Sequence, residues 1–139
     1  TDAGTQSVLV GSPADQPATE WVRRSVGDRT RASLVDLTGE TSLEMLAAVL
    51  AVASACVSND SGAMHLAGAV GAPLVAVFGP TREYETAPLT KPGGRAEVLF
   101  NPVWCRPCML RECPLDHRWM TGLPPARVFA TVQQLMRGA

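Results

Sequence analysis

The sequence predicts an α/β domain, an open parallel sheet with helices on both faces. Two observations carry this. Short, nearly continuous apolar runs alternate with stretches whose apolar residues fall at helical spacing, and strands of that kind are buried on both faces, as parallel strands are. The 139 residues fit one domain of ordinary size, able to bury a sufficient core without disulfides.

Val8-Leu9-Val10 is the first strand, ended by Gly11 and the turn Ser12-Pro13-Ala14-Asp15. Ala18, Trp21, Val22 and Val26 place a helix over 17–26. Leu34–Leu37 is a second strand. Thr41-Ser42-Leu43-Glu44 matches a capping box, with Thr41 as cap and Glu44 reaching back. Leu43, Leu46, Ala47, Leu50 and Ser54 line one face of the helix that follows. Ala55–Ser58 is a third strand, Asn59-Asp60-Ser61-Gly62 a turn, and Ala63–Val70 a helix of small residues ended by Gly71. Leu74–Phe78 is a fourth strand, stopped by Gly79-Pro80. The loop Thr81–Arg95 is the longest stretch read without structure of its own. Glu97–Phe100 is a fifth strand, Asn101–Gly122 a Cys- and Pro-rich segment, and a last helix spans about 125–136, with Pro125 in its first turn.

Composition excludes several classes. Twelve basic against thirteen acidic side chains leave a net charge of −1, which argues against a nucleic-acid binder held by phosphate charge. With 46% apolar residues the chain is not disordered. Its longest mostly apolar stretch, Met45–Val57, falls short of the roughly 20 residues that span a bilayer. No charged start followed by an apolar run marks a secretory signal. Ile is absent and Lys91 is the only lysine, a bias that points to a GC-rich gene rather than to a function. The chain opens at Thr1 without Met and is expected to be a processed protein or an excised piece.

Ligands of open α/β sheets bind outside the carboxyl ends of the strands. Here no G-x-G-x-x-G and no P-loop follows any strand, so both of those phosphate cradles are missing. Asn59-Asp60-Ser61-Gly62 instead joins a strand to a helix N-terminus, where free N–H groups and the helix dipole favour an anion. Gly62 admits close approach and Ser61 offers a hydroxyl, while Asp60 would repel a phosphate and must cap the helix or meet sugar hydroxyls. The plainer reading is an ordinary N-cap. His65 shares the helix face of Ser61 and reads equally as a neutral donor beside a phosphate or as a half-buried helix residue. Asp15, after the first strand, suits a ribose diol or a local turn. Gly79-Pro80-Thr81 combines close approach with a hydroxyl, or is simply a turn. Cys105-x2-Cys108 with Cys113 and His117 has zinc spacing, against a loop of reduced thiols; Cys56, in a strand, reads as core.

Asp36-Leu37-Thr38-Gly39-Glu40-Thr41-Ser42-Leu43, Val57-Ser58-Asn59-Asp60-Ser61-Gly62-Ala63-Met64-His65-Leu66-Ala67 and Phe78-Gly79-Pro80-Thr81 resemble the carboxyl-terminal half of lipopolysaccharide heptosyltransferases, glycosyltransferase family 9. The Cys105–His117 stretch resembles the heptosyltransferase II branch. The likeness runs from about Val8 to Met136. It implies a Rossmann-like domain, the C-terminal half of a GT-B fold, that binds ADP-heptose or a similar sugar nucleotide. It also implies inverting transfer to a lipopolysaccharide-core acceptor, with no cofactor and no metal; the ADP-sugar is a substrate. By motif, Asp60 contacts the heptose, Ser61 and Gly62 hold the diphosphate with His65 beside them, and Asp15 takes the ribose hydroxyls. Thr41 borders the adenine, and Gly79, Pro80 and Thr81 edge the donor. The family's catalytic base lies in the amino-terminal half, so no catalytic residue is expected in this chain, which is expected to be an inactive donor half on its own. A cytoplasmic enzyme, peripheral at the inner membrane when complete, is expected, with no transmembrane segment and no nucleic-acid partner. The family often has a fourth Cys where this chain has Trp119, and small or Asp/Pro residues where it has Arg82-Glu83-Tyr84. Two other readings stay open: a UDP-sugar-using GT-B-like epimerase, and a non-catalytic module stabilised by zinc at the Cys segment.

Overall fold

The computed structural model describes residues 5–138. The chain divides into two compact units, one running to Leu46 and the other beginning at Ala47.

In the first unit, β1 (Ser7–Leu9) leads through a single 3-10 turn, Pro13–Asp15, into α1 (Gln16–Ser25). A short α2 (Asp28–Ala32) precedes β2 (Leu34–Asp36), which pairs in parallel with β1 from Ser7↔Leu34 to Leu9↔Asp36. Nothing in the sequence marks α2, whose five residues carry no apolar stripe; a Gly27 N-cap and Asp28 in the first turn start it. The helix α3 (Leu43–Val52) begins one residue later than the capping box required. Ser42 is therefore the cap, its Oγ accepting the Met45 N–H at 3.2 Å, and the assignment of Thr41 to that role is corrected. Leu43, expected on the packed face, is 69% exposed.

The second unit holds β3 (Cys56–Asn59), α4 (Gly62–Val70), β4 (Leu74–Phe78), α5 (Glu83–Thr86), β5 (Ala96–Phe100), α6 (Arg118–Thr121) and α7 (Pro125–Arg137). Its sheet has the order β3-β4-β5, all parallel. The central strand β4 is buried along its whole length, which is why it reads Leu-Val-Ala-Val-Phe without alternation. Val75 and Val77 pack with Leu99, Leu123 and Leu135, and Val128 and Val132 of α7 lean on that cluster. Each such burial contributes roughly 1.5–3 kcal/mol. Leu74, Ala76 and Phe78 point to the opposite face by strand alternation and are fully buried, as are Met64 and Ala67 of α4. Gly71, at φ +82°, closes α4 in the left-handed conformation, its N–H bonded to the Ala67 carbonyl at 3.1 Å. The stretch 81–95 is not structureless, because α5 lies within it. The parallel strands thus form two hydrogen-bonded sheets, β1-β2 and β3-β4-β5.

Candidate functional site

The strand β3 and the helix α4 meet at Asn59-Asp60-Ser61-Gly62. Ser61 is the N-cap of α4: its backbone is extended and its Oγ accepts the Met64 N–H at 3.4 Å. Ser58 Oγ lies 3.1 Å from the same oxygen. The ordinary N-cap role therefore holds for Ser61, and Asp60 does not share it. The Asp60 carboxylate instead receives the Thr86 hydroxyl, Oγ1 to Oδ2 at 3.1 Å. A Cβ placed on Gly62 would meet nothing within 4 Å, so packing against neighbours does not require glycine there; the space above the helix start is open. His65 is exposed one turn on, with its N–H on the Ser61 carbonyl at 3.4 Å. The first N–H groups of any helix lack intrahelical acceptors, so this turn can receive an anion.

The second group in this unit is Gly79-Pro80-Thr81 at the carboxyl end of β4. A Cβ on Gly79 would stand 2.5 Å from the Trp119 ring, so the glycine makes room for that indole. The Thr81 hydroxyl oxygen is buried and has no hydrogen-bond partner. Arg106 fixes the loop from behind. Its Nε donates to the Gly79 carbonyl at 2.7 Å and its Nη2 to the Thr81 carbonyl at 3.0 Å and to Glu83 Oε2 at 2.8 Å. The guanidinium lies 4.6 Å over the Phe100 ring, and the side chain is only 5% exposed. The N–H groups of Cys108 and Met109 both reach the Pro80 carbonyl at 3.1 Å. Burial pulls the Glu83 carboxyl upward, but its own backbone N–H and Arg106 together hold it below its ordinary value.

Sequence reasoning missed both Arg106 and Thr86. Neither lies in a periodic pattern, and Arg106 sits inside a segment whose thiols drew attention. Those thiols, Cys105, Cys108 and Cys113, line an apolar cavity of about 260 Å³ with Trp104, Leu115 and Trp119. All are free. Among the described residues no three His, Cys, Asp or Glu side chains are grouped to hold a metal ion. The Cys113 thiol is held below its usual value by the Leu115 N–H and, at 3.3 Å, the His117 N–H. Cys56 is partly buried in β3, and burial pushes its thiol up to about 11.

Asp15 and Thr41 belong to the first unit. Asp15 is engaged locally: its Oδ2 accepts the Ser12 hydroxyl at 2.7 Å and the Ser12 N–H at 2.8 Å, which holds its carboxyl below the ordinary value. Thr41 is half-buried just before the Ser42 cap. A polar cavity of about 340 Å³ in this unit, lined by Arg23, Asp36 and Thr38 among others, was not anticipated. Asp36 sits there with the Thr38 hydroxyl beside it and the Thr38 N–H at 3.0 Å, both lowering its pKa.

Residues 1–118 match the sequence model of glycosyltransferase family 9 (heptosyltransferase). The chain belongs to this family. Lipooligosaccharide heptosyltransferase 2 of Haemophilus influenzae is 40% identical over 87 residues, which is 63% of this chain and 25% of that protein. Its namesake from Campylobacter jejuni is 31% identical over 105 residues, 75% of this chain and 32% of that one. Among solved structures, E. coli ADP-heptose lps heptosyltransferase II aligns with a TM-score of 0.84 at 31% identity, covering 99% of this chain and 38% of that one. This glycosyltransferase family 9 chain thus spans about a fifth to a third of the curated relatives it matches. Its α/β fold with parallel strands is that of the family, and neither the epimerase nor the zinc-module reading is favoured by these likenesses. Among the described residues no helix is long and apolar enough to cross a membrane.

Proposed function

We propose that this chain is the donor-binding part of an inverting glycosyltransferase that moves heptose from ADP-heptose to a lipopolysaccharide inner-core acceptor. Support comes from membership of glycosyltransferase family 9 and from relatives named lipopolysaccharide or lipooligosaccharide heptosyltransferase 2. The observation that carries it in this chain is the start of α4, where Ser61 caps the helix, Asp60 stands aside on Thr86, and the space over Gly62 is open.

In this reading the N–H groups at Gly62 and Ala63 take the diphosphate, with the Ser61 hydroxyl and His65 beside it. As the anomeric C–O bond breaks, negative charge builds on the departing diphosphate. Fixed N–H donors and the helix dipole offset that charge, the role a metal ion fills in other transferases. Asp60, repelled by phosphate, turns its carboxylate to the sugar hydroxyls. The buried Thr81 hydroxyl, without a partner of its own, gives the edge of the site one more polar group. The transfer needs no cofactor, takes place in the cytoplasm, and draws its general base from outside these residues.

Calorimetric titration with ADP, UDP and GDP tests the reading. ADP binding most tightly, and weakening about tenfold in Ser61→Ala, is the expected outcome. A preference for UDP would transfer support to the epimerase-like reading, and no binding of any of the three would overturn the proposal.

A further inference from the structure

Thr86 is the last residue of α5, and its half-buried hydroxyl stands 3.1 Å from Asp60 Oδ2 and 3.2 Å from the Arg82 carbonyl oxygen. A hydroxyl has one proton, so the two acceptors share it, and the shorter of the two contacts is the one to Asp60. The short helix that carries Thr86 is itself fixed: Glu83 at its start is paired with buried Arg106, and Arg82 is paired with Glu85 at 2.9 Å. The contact to Oδ2 restrains the rotation of the Asp60 side chain and leaves Oδ1 to accept from outside.

We propose that Thr86 is a positioning residue that aims the Asp60 carboxylate at the hydroxyls of the transferred sugar, so that it governs recognition of the sugar and not of the nucleotide. This rests on the donor-binding reading above and extends it to a residue that no motif marks. The chemistry it recognises is a polyol carried on a nucleoside diphosphate.

The protein is titrated with ADP and with ADP-heptose as wild type, Thr86→Val and Thr86→Ser, with thermal melts run alongside. Valine keeps the shape and removes the hydroxyl; serine keeps the hydroxyl. The expected result is about tenfold weaker ADP-heptose binding in Thr86→Val, ADP affinity within about twofold of wild type, and recovery of most of the loss in Thr86→Ser. Equal loss of both ligands, an ADP-heptose affinity unchanged by valine, or no recovery with serine would overturn the assignment while leaving the donor site in place. A wild type that binds neither ligand would overturn the donor-binding reading and this one with it.

Discussion

Arg106 reaches back to the end of β4 and donates to the Gly79 carbonyl at 2.7 Å. That contact ties the Cys- and Pro-rich segment to the loop that borders the candidate site. Removing the guanidinium leaves a buried carbonyl and a partly buried Glu83 without their donor. Arg106→Met keeps an unbranched apolar side chain but removes the guanidinium, with its hydrogen bonds and its place over Phe100, and should cost about 3 kcal/mol of stability, read as a lower midpoint in urea unfolding. A midpoint equal to wild type would show that water replaces the guanidinium at no cost.

The Glu83 carboxyl is held below its ordinary value in the folded protein. Its pairing therefore contributes above the unfolded carboxylate value of about 4.3 and is lost as pH falls through the folded value. Wild type should exceed Glu83→Gln in stability at neutral pH, and the gap should close in acid. Urea midpoints of the two proteins across that range check it; a gap that widens in acid would reverse the sign.

Thiolate character separates two cysteines that composition treats alike. Cys113 is lowered by backbone N–H donors, and Cys56 is raised to about 11 by burial. Iodoacetamide at neutral pH should label Cys113 well before Cys56, as peptide mapping over time would show. Labelling in the opposite order would mean that the N–H groups of Leu115 and His117 do not hold the thiolate.

How much of this was legible in the sequence depended on whether a residue's role was local. Gly71 closes α4 because the left-handed conformation favours glycine, and a small-residue helix ending in glycine announces that. The unbroken apolar run of β4 announced a central parallel strand. By contrast α2, α5 and α6 span only four or five residues each, too few for a periodicity to mark them. Arg106 acts on Gly79 and Thr81, far away in the chain, and its meaning exists only once the fold brings them together. Gly79 announces close approach in the sequence, but that the Trp119 ring needs that room shows only in the fold.

Gly62 offers a clean separation of fold from binding. A Cβ there meets nothing within 4 Å, so Gly62→Ala should leave stability within about 1 kcal/mol of wild type. On the donor-binding proposal, the same methyl would stand where a phosphate oxygen approaches the helix start. ADP affinity should therefore fall while the melting temperature holds. Undiminished affinity would remove Gly62 from the site.

The claim on which the account depends is that the start of α4 receives the diphosphate. Amide chemical shifts of the isotope-labelled protein, followed as ADP is added, test it residue by residue. The account predicts the largest changes at Ser61, Gly62, Ala63 and His65, with smaller ones at Gly79 and Thr81. Unmoved amides at 61–65, with the response falling instead around Cys105–Cys113 or nowhere, would contradict it.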